Sequence, residues 1–369
     1  VARAFNQGGK RLGSFAAYLE PHHPDIMSFL ALKRNHGDEN LRTRDLFIAL
    51  WISDLFMERV HSDEEWNTFD PDTCPGLTDC YGDEYKALYL KYESEGKSSH
   101  TYRAREVWSA IFQSHKESGL PYMLYKDNVN KYNNQNNMGI IKSSNLCCEI
   151  TIYSDAENYG TCVLGSICLP KCVTDTYTQN ELKILEKDRR VLNHEFPMNP
   201  VVDYEKLARI SGILCRNLNK VIDRNLYPCP EAEKSSVDGR PIGIGVQGLA
   251  DVFYKLKLPF DCPQAKVINK KIFEAIYYGA ISMSTKLCRS EYIDSVRKGD
   301  SHESKLDMSY PAYTVNGGSP LYKGDFMWEL YGLKESDLSG MFDWESTRNH
   351  INLYGVKNSL LTALMPTAS

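Results

Sequence analysis

Strand-like and helix-like patterns alternate along this chain, and the alternation limits the folds that it can adopt. Residues 14–19 have the composition of a short strand, and Pro24 suits the first turn of a helix whose apolar positions are Met27, Leu30 and Ala31. The same patterns recur further along, with predicted helices over residues 45–60, 102–116, 204–221 and 264–290 and predicted strands over residues 121–125 and 358–366. Alternating strands and helices predict an α/β fold.

The composition bounds the size and the class of the protein. With 369 residues, of which 42% are hydrophobic, the chain is long for one ordinary domain, so one large α/β unit and two smaller domains are both open. A net charge of −5 and the lack of a lysine or arginine run argue against a nucleic-acid polymer as partner, whereas individual nucleotides remain compatible. The longest apolar run, Leu46–Ile52, is too short for a membrane span, and residues 1–20 lack a signal-peptide pattern. We therefore expect a soluble, cytoplasmic protein with no membrane partner.

The eleven cysteines are odd in number and irregularly spaced, which argues against the disulfide framework of a secreted protein. No Cys-x-x-Cys pair occurs, and neither Cys168 with Cys172 nor Cys74 with Cys80 has a matching histidine pair. The adjacent histidines at 22–23 lack ligand partners at helical spacing. The sequence predicts reduced thiols and no metal site.

The stretch from residue 144 to residue 150 places an amide, a thiol and a carboxylate at alternating positions, Asn145, Cys147 and Glu149. In an extended segment these three side chains would share one face, and Cys148 would point to the other. The groups could hold a polar ligand, do one-electron or nucleophilic chemistry, and act as a general base. By residue type alone, a buried strand with an apolar cysteine and a solvated glutamate is the alternative.

The sequence Asn-Leu-Cys-x-Glu-Ile at 145–150 resembles the finger-loop motif of the large subunit of class I ribonucleotide reductases. Further segments resemble that family in the family's order and cover nearly the whole chain, namely residues 7–11, 15–21, 44–47, 121–127, 240–251 and 365–369. The resemblance implies that residues 1–369 are part of one catalytic domain, a partial ten-stranded α/β barrel whose central finger loop carries the catalytic cysteine. It also implies that N-terminal activity and specificity regions and a C-terminal part are absent, so that this polypeptide alone would not turn over.

The resemblance implies a role for each residue of the finger loop in reducing ribonucleoside diphosphates to 2′-deoxyribonucleoside diphosphates. Cys147 would become a thiyl radical and abstract the 3′-hydrogen, Glu149 would take the 3′-hydroxyl proton, and Asn145 would hold the sugar hydroxyls. Cys162, fifteen residues after Cys147, would be one half of the redox pair that supplies electrons and ends as a disulfide. By residue type alone, Cys162 is a buried strand cysteine.

Two further segments acquire roles from the resemblance. One is the specificity loop that relays effector identity to the substrate base, and the other holds the substrate's diphosphate. The specificity loop comprises Gln7, Gly8, Gly9, Lys10 and Arg11, and the phosphate segment comprises Pro366, Thr367, Ala368 and Ser369. An ordinary Gly-Gly turn is the alternative for the first segment. The second lacks the following helix N-terminus that would complete a phosphate cradle.

The resemblance also implies partners and cofactors, none of them bound within this segment. It implies a small radical-generating beta subunit that carries the metal and radical cofactor, a homodimer of large subunits, thioredoxin or glutaredoxin as reductant, and dNTP and ATP effectors with Mg²⁺. The location would be the cytoplasm, or the host cytoplasm if the protein is viral. We expect a surface connection at residues 61–100 and surface insertions near residues 171–200 and 291–325, because these stretches are polar and irregular.

Two other functions compete with this interpretation. Gly243, Gly245 and Gly248 fit the Gly-x-Gly-x-x-Gly dinucleotide fingerprint, which would indicate a nicotinamide-dependent dehydrogenase, but the long apolar strand that should precede the motif is missing. In the reductase family this segment is a barrel strand that runs into a helix, with glycines for close packing. The other alternative is a non-catalytic regulatory or nucleotide-binding homologue of the large subunit.

Overall fold

The computed structural model describes residues 6, 7, 11–174 and 201–367, with residues 6, 7, 11 and 12 described by their backbone alone. The chain divides into two compact units. The first comprises Val1–Asn133 and Ile140–Tyr153, and the second comprises Asn134–Gly139 and Ser154–Ser369. Within the described ranges, no helix is both long enough and apolar enough to cross a membrane.

The first unit is built around a parallel sheet of three strands, in the order Phe15–Leu19, Leu46–Ile52 and Tyr122–Tyr125. Two antiparallel pairs of strands accompany this sheet, Asn6–Gln7 with Arg11–Leu12 and Glu65–Thr68 with His100–Arg103. Its elements in chain order are β1 (Asn6–Gln7), β2 (Arg11–Leu12), β3 (Phe15–Leu19), α1 (Ile26–Ala31), β4 (Leu46–Ile52), α2 (Asp54–Ser62), β5 (Glu65–Thr68), α3 (Gly82–Ser94), β6 (His100–Arg103), α4 (Ala104–Ser118), β7 (Tyr122–Tyr125) and α5 (Lys126–Lys131). The predicted strands at 14–19 and 121–125 and the predicted helix at 102–116 are confirmed.

The helix predicted over residues 45–60 is wrong in its first half, because Leu46–Ile52 forms the central strand β4. Parallel partners flank β4 on both sides, and its last five side chains are buried. A strand covered on both faces has a continuous apolar sequence rather than an alternating one, so its pattern is ambiguous with that of a buried helix. The helix begins only at Asp54, after Ser53 caps it by accepting a hydrogen bond from the backbone of Phe56 at 3.3 Å.

The surface connection predicted at residues 61–100 is also wrong, because aromatic side chains bury much of this stretch. Trp66 of β5 stacks on Tyr89 of α3 with 4.7 Å between ring centroids, and Phe69 meets Tyr89 edge-on at 5.0 Å. The Tyr89 hydroxyl donates to the Asn67 carbonyl at 2.9 Å, which satisfies its polar atom inside the core. Tyrosines therefore made a core segment look polar in the sequence.

The second unit pairs β8 (Leu164–Cys168) with β11 (Gly243–Gln247) in parallel and packs helices against them. The long helix predicted at 264–290 continues to Lys298, so the predicted loop at 291–325 starts too early. Within that loop Tyr310 and Tyr313 are buried, which a surface insertion would not require. The elements are β8 (Leu164–Cys168), β9 (Val173–Thr174), β10 (Val201–Val202), α6 (Tyr204–Arg224), α7 (Pro230–Gly239), β11 (Gly243–Gln247), α8 (Leu249–Lys255), α9 (Pro263–Lys298), α10 (Met327–Leu330) and α11 (Trp344–Tyr354).

The glycine motif lies on β11 and leads directly into α8, as the family resemblance predicted. A Cβ atom on Gly243 would lie 2.5 Å from the Leu164 side chain. A Cβ atom on Gly245 would lie 2.5 Å from the Ala363 carbonyl oxygen. These glycines therefore serve close packing between neighbouring segments. The predicted insertion at 171–200 lies outside the described residues from 175 onward and stays a prediction.

The strand predicted at 358–366 is present only as an extended segment beside β11. It makes a single parallel bridge, from Thr362 to Ile244, and the Ile244 amide donates to the Leu361 carbonyl at 2.9 Å. Asn358 at its start is fully buried. The segment thus runs in the same direction as β8 and β11 and ends beside their carboxyl ends.

Candidate active site

Asn145, Cys147 and Glu149 lie on a turn rather than on the predicted strand. The Asn145 carbonyl accepts a hydrogen bond from the Cys148 amide at 3.3 Å, and the Asn145 side-chain oxygen accepts one from the Ile150 amide at 3.2 Å. Cys148 has a φ of 66°, in the left-handed region. An asparagine that bonds nearby backbone groups offers the chain an alternative to a sheet ladder, which explains why strand alternation does not apply here.

Two hydroxyl groups hold this turn to the rest of the first unit. The Ser144 hydroxyl donates to the Ile150 carbonyl and so closes the base of the turn. The Tyr18 hydroxyl, on β3, donates to the Asn145 carbonyl at 2.8 Å and lies 3.4 Å from the sulfur of Cys148. The turn is therefore fixed from its own sequence and from the sheet.

The two neighbouring thiols have different surroundings. Cys147 is exposed at the tip of the turn, whereas Cys148 is half-buried and packs against the small cluster formed by Ala49, Trp51 and Leu124. Burial, and then the Glu149 carboxylate, raise the pKa of Cys147 above its ordinary value. Burial also raises the pKa of Cys148, against a smaller opposite effect of its contact with Tyr18. Both sulfurs are therefore held as thiols near neutral pH.

Glu149 brings a carboxylate oxygen that has no hydrogen-bond partner among the described residues. Its Oε2 atom is buried and makes no hydrogen bond to any described residue. A buried carboxylate oxygen without a donor is costly and marks a place where a ligand hydroxyl could complete the bonding. The carboxyl group lies two residues after the exposed thiol, so the turn presents a hydrogen donor and a proton acceptor together.

Cys162 and the phosphate segment belong to the second unit. Cys162 is exposed and lies two residues before β8, so the buried strand cysteine expected from residue type is wrong. Pro366 and Thr367 are exposed, and before them the Met365 sulfur accepts a hydrogen bond from the Ser166 hydroxyl at 2.9 Å. Ala368 and Ser369 lie outside the described residues. The segment ends beside the carboxyl ends of β8 and β11, which is where parallel α/β sheets commonly bind ligands.

The predicted specificity loop is described only at its edges. The backbones of Gln7 and Arg11 pair across the short hairpin of β1 and β2. Gly8, Gly9 and Lys10 lie outside the described residues. The role of this loop stays a prediction.

Tyr18 was missed in the sequence, although its hydroxyl joins strand β3 to the turn by a hydrogen bond. Its signal was present, since a tyrosine inside an apolar strand needs a partner for its hydroxyl.

A buried charged cluster was missed too. Lys126 is fully buried directly after β7 and donates to both carboxylate oxygens of Glu20, directly after β3, at 3.0 Å each. Charged residues at the carboxyl ends of neighbouring parallel strands were the signal for that pair.

The titratable side chains suggest no metal centre in the part of the chain that the structure describes. No group of three or more histidine, cysteine, aspartate or glutamate side chains there has the arrangement to hold a metal ion. The candidate site is organised around the exposed thiol of Cys147 and the carboxylate of Glu149 that follows it.

Comparison with known proteins assigns a family to the whole chain. The family model described as "Ribonucleotide reductase, barrel domain" matches residues 1–369. The "Ribonucleoside-diphosphate reductase large subunit" of Acanthamoeba polyphaga mimivirus is 46% identical over 369 residues, which are 100% of this chain and 38% of that protein. Proteins of the same name are 44% identical in Arabidopsis thaliana and 46% identical in Vaccinia virus (strain Copenhagen), each over 370 residues, 100% of this chain and 42% of the relative. The chain thus spans about two fifths of the length of these relatives.

Proposed function

Because the chain belongs to the family of ribonucleotide reductase barrel domains, we propose that it forms the catalytic segment of a large subunit that reduces ribonucleoside diphosphates to 2′-deoxyribonucleoside diphosphates. The observation that carries this proposal is the turn at 145–150. It presents an exposed thiol, Cys147, two residues before Glu149, whose buried Oε2 atom has no partner among the described residues. The enzyme class follows as an oxidoreductase, a ribonucleoside-diphosphate reductase.

The protonation state of Cys147 supports hydrogen-atom chemistry rather than nucleophilic attack. Nucleophilic cysteines have a lowered pKa and react as thiolates. Burial and the Glu149 carboxylate raise the pKa of Cys147 instead, so the sulfur keeps its hydrogen. A thiol that keeps its hydrogen can lose that hydrogen atom to become a radical and can return one to the substrate at the end.

In the proposed reaction the Cys147 thiyl radical takes the 3′-hydrogen atom of the ribose and becomes a thiol again. Glu149 accepts the 3′-hydroxyl proton and passes it to the 2′-hydroxyl, which leaves as water, so that the 3′ position becomes a carbonyl beside a 2′-centred radical. Asn145 holds the sugar hydroxyls near these groups. Two thiols then supply two electrons and two protons, which add hydrogen at the 2′ carbon and convert the 3′ carbonyl to a 3′-centred radical that bears a hydroxyl, and the thiols become a disulfide. Finally Cys147 returns the hydrogen atom to the 3′ carbon and regains the radical.

We assign the remaining steps to residues outside the turn. Cys162 is one of the two thiols that form the disulfide, and its exposure is consistent with later reduction by thioredoxin or glutaredoxin. The segment Pro366, Thr367, Ala368 and Ser369 binds the substrate's diphosphate. Gln7, Gly8, Gly9, Lys10 and Arg11 respond to dNTP or ATP effectors that bind with Mg²⁺.

The proposed assembly extends beyond this chain. The radical is generated by a small beta subunit that holds the metal and radical cofactor, and two large subunits form a homodimer. The fold is part of a ten-stranded α/β barrel whose finger loop is the turn at 145–150, and the parallel strands of both units support a barrel of this class. The location is the cytoplasm.

A reduction assay tests the function. A labelled ribonucleoside diphosphate is incubated with the full-length protein that carries this chain, a small subunit, an effector and a dithiol, and the deoxy product is separated. We expect product that depends on each component. A folded protein that binds nucleotide yet forms no product with a small subunit of demonstrated competence would contradict the enzyme and favour a regulatory homologue.

A further inference from the structure

Cys148 holds an unfavourable backbone conformation directly beside the proposed radical site. Its φ of 66° lies in the left-handed region, which a residue with a Cβ atom rarely adopts. Such a conformation persists only where surrounding contacts fix it, and it recurs at functional sites. The contacts that fix Cys148 therefore also set the direction in which the Cys147 side chain points.

Tyr18 supplies two of those contacts with one hydroxyl group. It donates to the Asn145 carbonyl at 2.8 Å, and its oxygen lies 3.4 Å from the Cys148 sulfur. The Asn145 carbonyl also accepts a hydrogen bond from the Cys148 amide at 3.3 Å, and this bond closes the turn. Tyr18 therefore contacts both residues that form it.

The sheet holds Tyr18 in place from the other side. Tyr18 lies on β3 opposite Ala49 of the buried central strand β4. Its ring meets the ring of Trp51 edge-on, with 6.2 Å between centroids and an interplanar angle of 77°. Burial raises the pKa of Tyr18 well above its ordinary value, so the hydroxyl remains a donor at every physiological pH. A rigid strand thereby presents a permanent donor to the turn.

We propose that Tyr18 is a positioning residue for the chemistry of Cys147. Its hydroxyl group fixes the Asn145–Cys148 turn against the sheet and thereby orients the Cys147 sulfur. The proposal rests on the proposed function and deepens it, because it names a residue that the reaction needs but that touches no substrate. The strained conformation of Cys148 is maintained by the same hydroxyl. Without this anchor the turn can relax, and the sulfur of Cys147 is displaced from the 3′-hydrogen.

The variant Tyr18→Phe tests the proposal because it keeps the ring against Trp51 and removes only the hydroxyl. The control is Tyr102→Phe, since Tyr102 lies on β6 of the same unit, is also half-buried, and packs against a different hydrophobic cluster from the one that holds Cys148. Amide hydrogen exchange of Cys148 and Ile150 is measured first, in the full-length protein, because it reports the turn without requiring activity. We expect exchange at both amides to become about tenfold faster in Tyr18→Phe and to stay unchanged in Tyr102→Phe.

The reduction assay provides the second measurement. We expect Tyr18→Phe to lower kcat by about tenfold to hundredfold, the cost of a displacement near 1 Å at a reacting atom, while KM for the ribonucleoside diphosphate stays unchanged. If Tyr18→Phe does not fold, Cys148→Ala removes the sulfur contact alone and is expected to accelerate amide exchange in the same direction by a smaller factor.

Two results would overturn the proposal. One is unchanged amide exchange in Tyr18→Phe, and the other is lower thermal stability with wild-type kcat, which would leave Tyr18 a merely structural role. Should the wild-type protein reduce no ribonucleotide, the proposed function fails, but amide exchange still decides whether Tyr18 fixes the turn. The two failures are therefore distinguishable.

Discussion

Cys147 and Cys148 are neighbours in the chain, yet the turn gives their sulfurs different tasks. Cys147 stands exposed at the tip, while Cys148 packs inward against Tyr18. The sequence predicted that the two would point in different directions, but for a reason that does not hold, because no strand alternation exists here. What separates them is the hydrogen bonding of Asn145 and the left-handed conformation of Cys148. Neither can be read from residue types alone.

Glu149 gives a prediction at the scale of a single atom. In Glu149→Gln the side chain keeps its shape but cannot accept a proton from the 3′-hydroxyl. We expect kcat to fall by about 10²–10⁴-fold, the usual contribution of a general base, with a small change in KM. Steady-state reduction assays measure both constants. An active Glu149→Gln variant with wild-type kcat would exclude the carboxylate as the base.

At the scale of elements, the carboxyl ends of β3 and β7 carry a buried polar cluster that supports the sheet under the turn. His22, three residues after the end of β3, is buried, and its Nδ1 atom lies 3.0 Å from the Tyr85 hydroxyl. Burial, and then the Lys126 charge, lower the pKa of His22 to about 3. In the unfolded chain a histidine has its ordinary pKa near 6.5. Between about pH 3 and pH 6.5, therefore, His22 binds a proton in the unfolded state but not in the folded state.

The sign of the pH effect follows from this difference. The unfolded state binds more protons between pH 3 and pH 6.5, so stability from His22 is complete above about pH 6.5 and is lost as the pH falls, by about 1.4 kcal/mol per pH unit. In His22→Asn a polar group remains near Tyr85 but does not titrate. We expect its urea midpoint to fall less than that of the wild type between pH 6.5 and pH 5. Equal slopes for the two proteins would contradict the assignment of a neutral buried His22.

Gly245 gives a second prediction for elements, because β11 passes close to the segment that leads to the phosphate residues. An added Cβ atom would lie 2.5 Å from both the Ala363 carbonyl oxygen and the Met365 sulfur, and a backbone oxygen cannot move aside cheaply. We expect Gly245→Ala to destabilise the protein by about 1–3 kcal/mol. We also expect a higher KM for the ribonucleoside diphosphate, because residues 366–369 follow the displaced segment.

The matched control is Gly165→Ala on β8, in the strand that pairs with β11. There the added Cβ atom would meet only the tip of the Leu214 side chain, at 2.9 Å, and a flexible tip can rotate away. We expect a smaller loss of stability and an unchanged KM. Thermal denaturation and substrate titration compare the two variants. A larger effect at Gly165 than at Gly245 would refute this account of the packing.

The elements that could be predicted from the sequence are those with local signals. The cap at Asp203 begins α6, and Gly119 in the left-handed region ends α4, both as their residue types indicate. Leu46–Ile52 could not be assigned correctly, because a strand buried on both faces carries no periodicity. The buried tyrosines of α3 were misread since their hydroxyls find partners that only the fold provides.

At the scale of the whole molecule, the family could be identified from short motifs that stand in a fixed order, whereas the arrangement could not. The chain forms two compact units, and the chemistry-bearing turn at 145–150 belongs to the first while Cys162 belongs to the second. Sequence patterns give no long-range pairing, such as β4 between β3 and β7 or the bridge from Thr362 to Ile244. These long-range contacts decide which residues come together in a site, and local sequence propensity does not predict them.

The central claim is that Cys147, and not its neighbour, is the radical site. Wild-type protein, Cys147→Ser and Cys148→Ser are compared in the same full-length background, with a small subunit, an effector and a dithiol, and deoxyribonucleotide formation is measured. A serine hydroxyl holds its hydrogen too strongly to replace a thiol in this step, so we expect Cys147→Ser to form no product. Cys148→Ser keeps a polar partner for Tyr18 and is expected to retain most of the activity. Product formation by Cys147→Ser, or its loss in Cys148→Ser alone, would contradict the account.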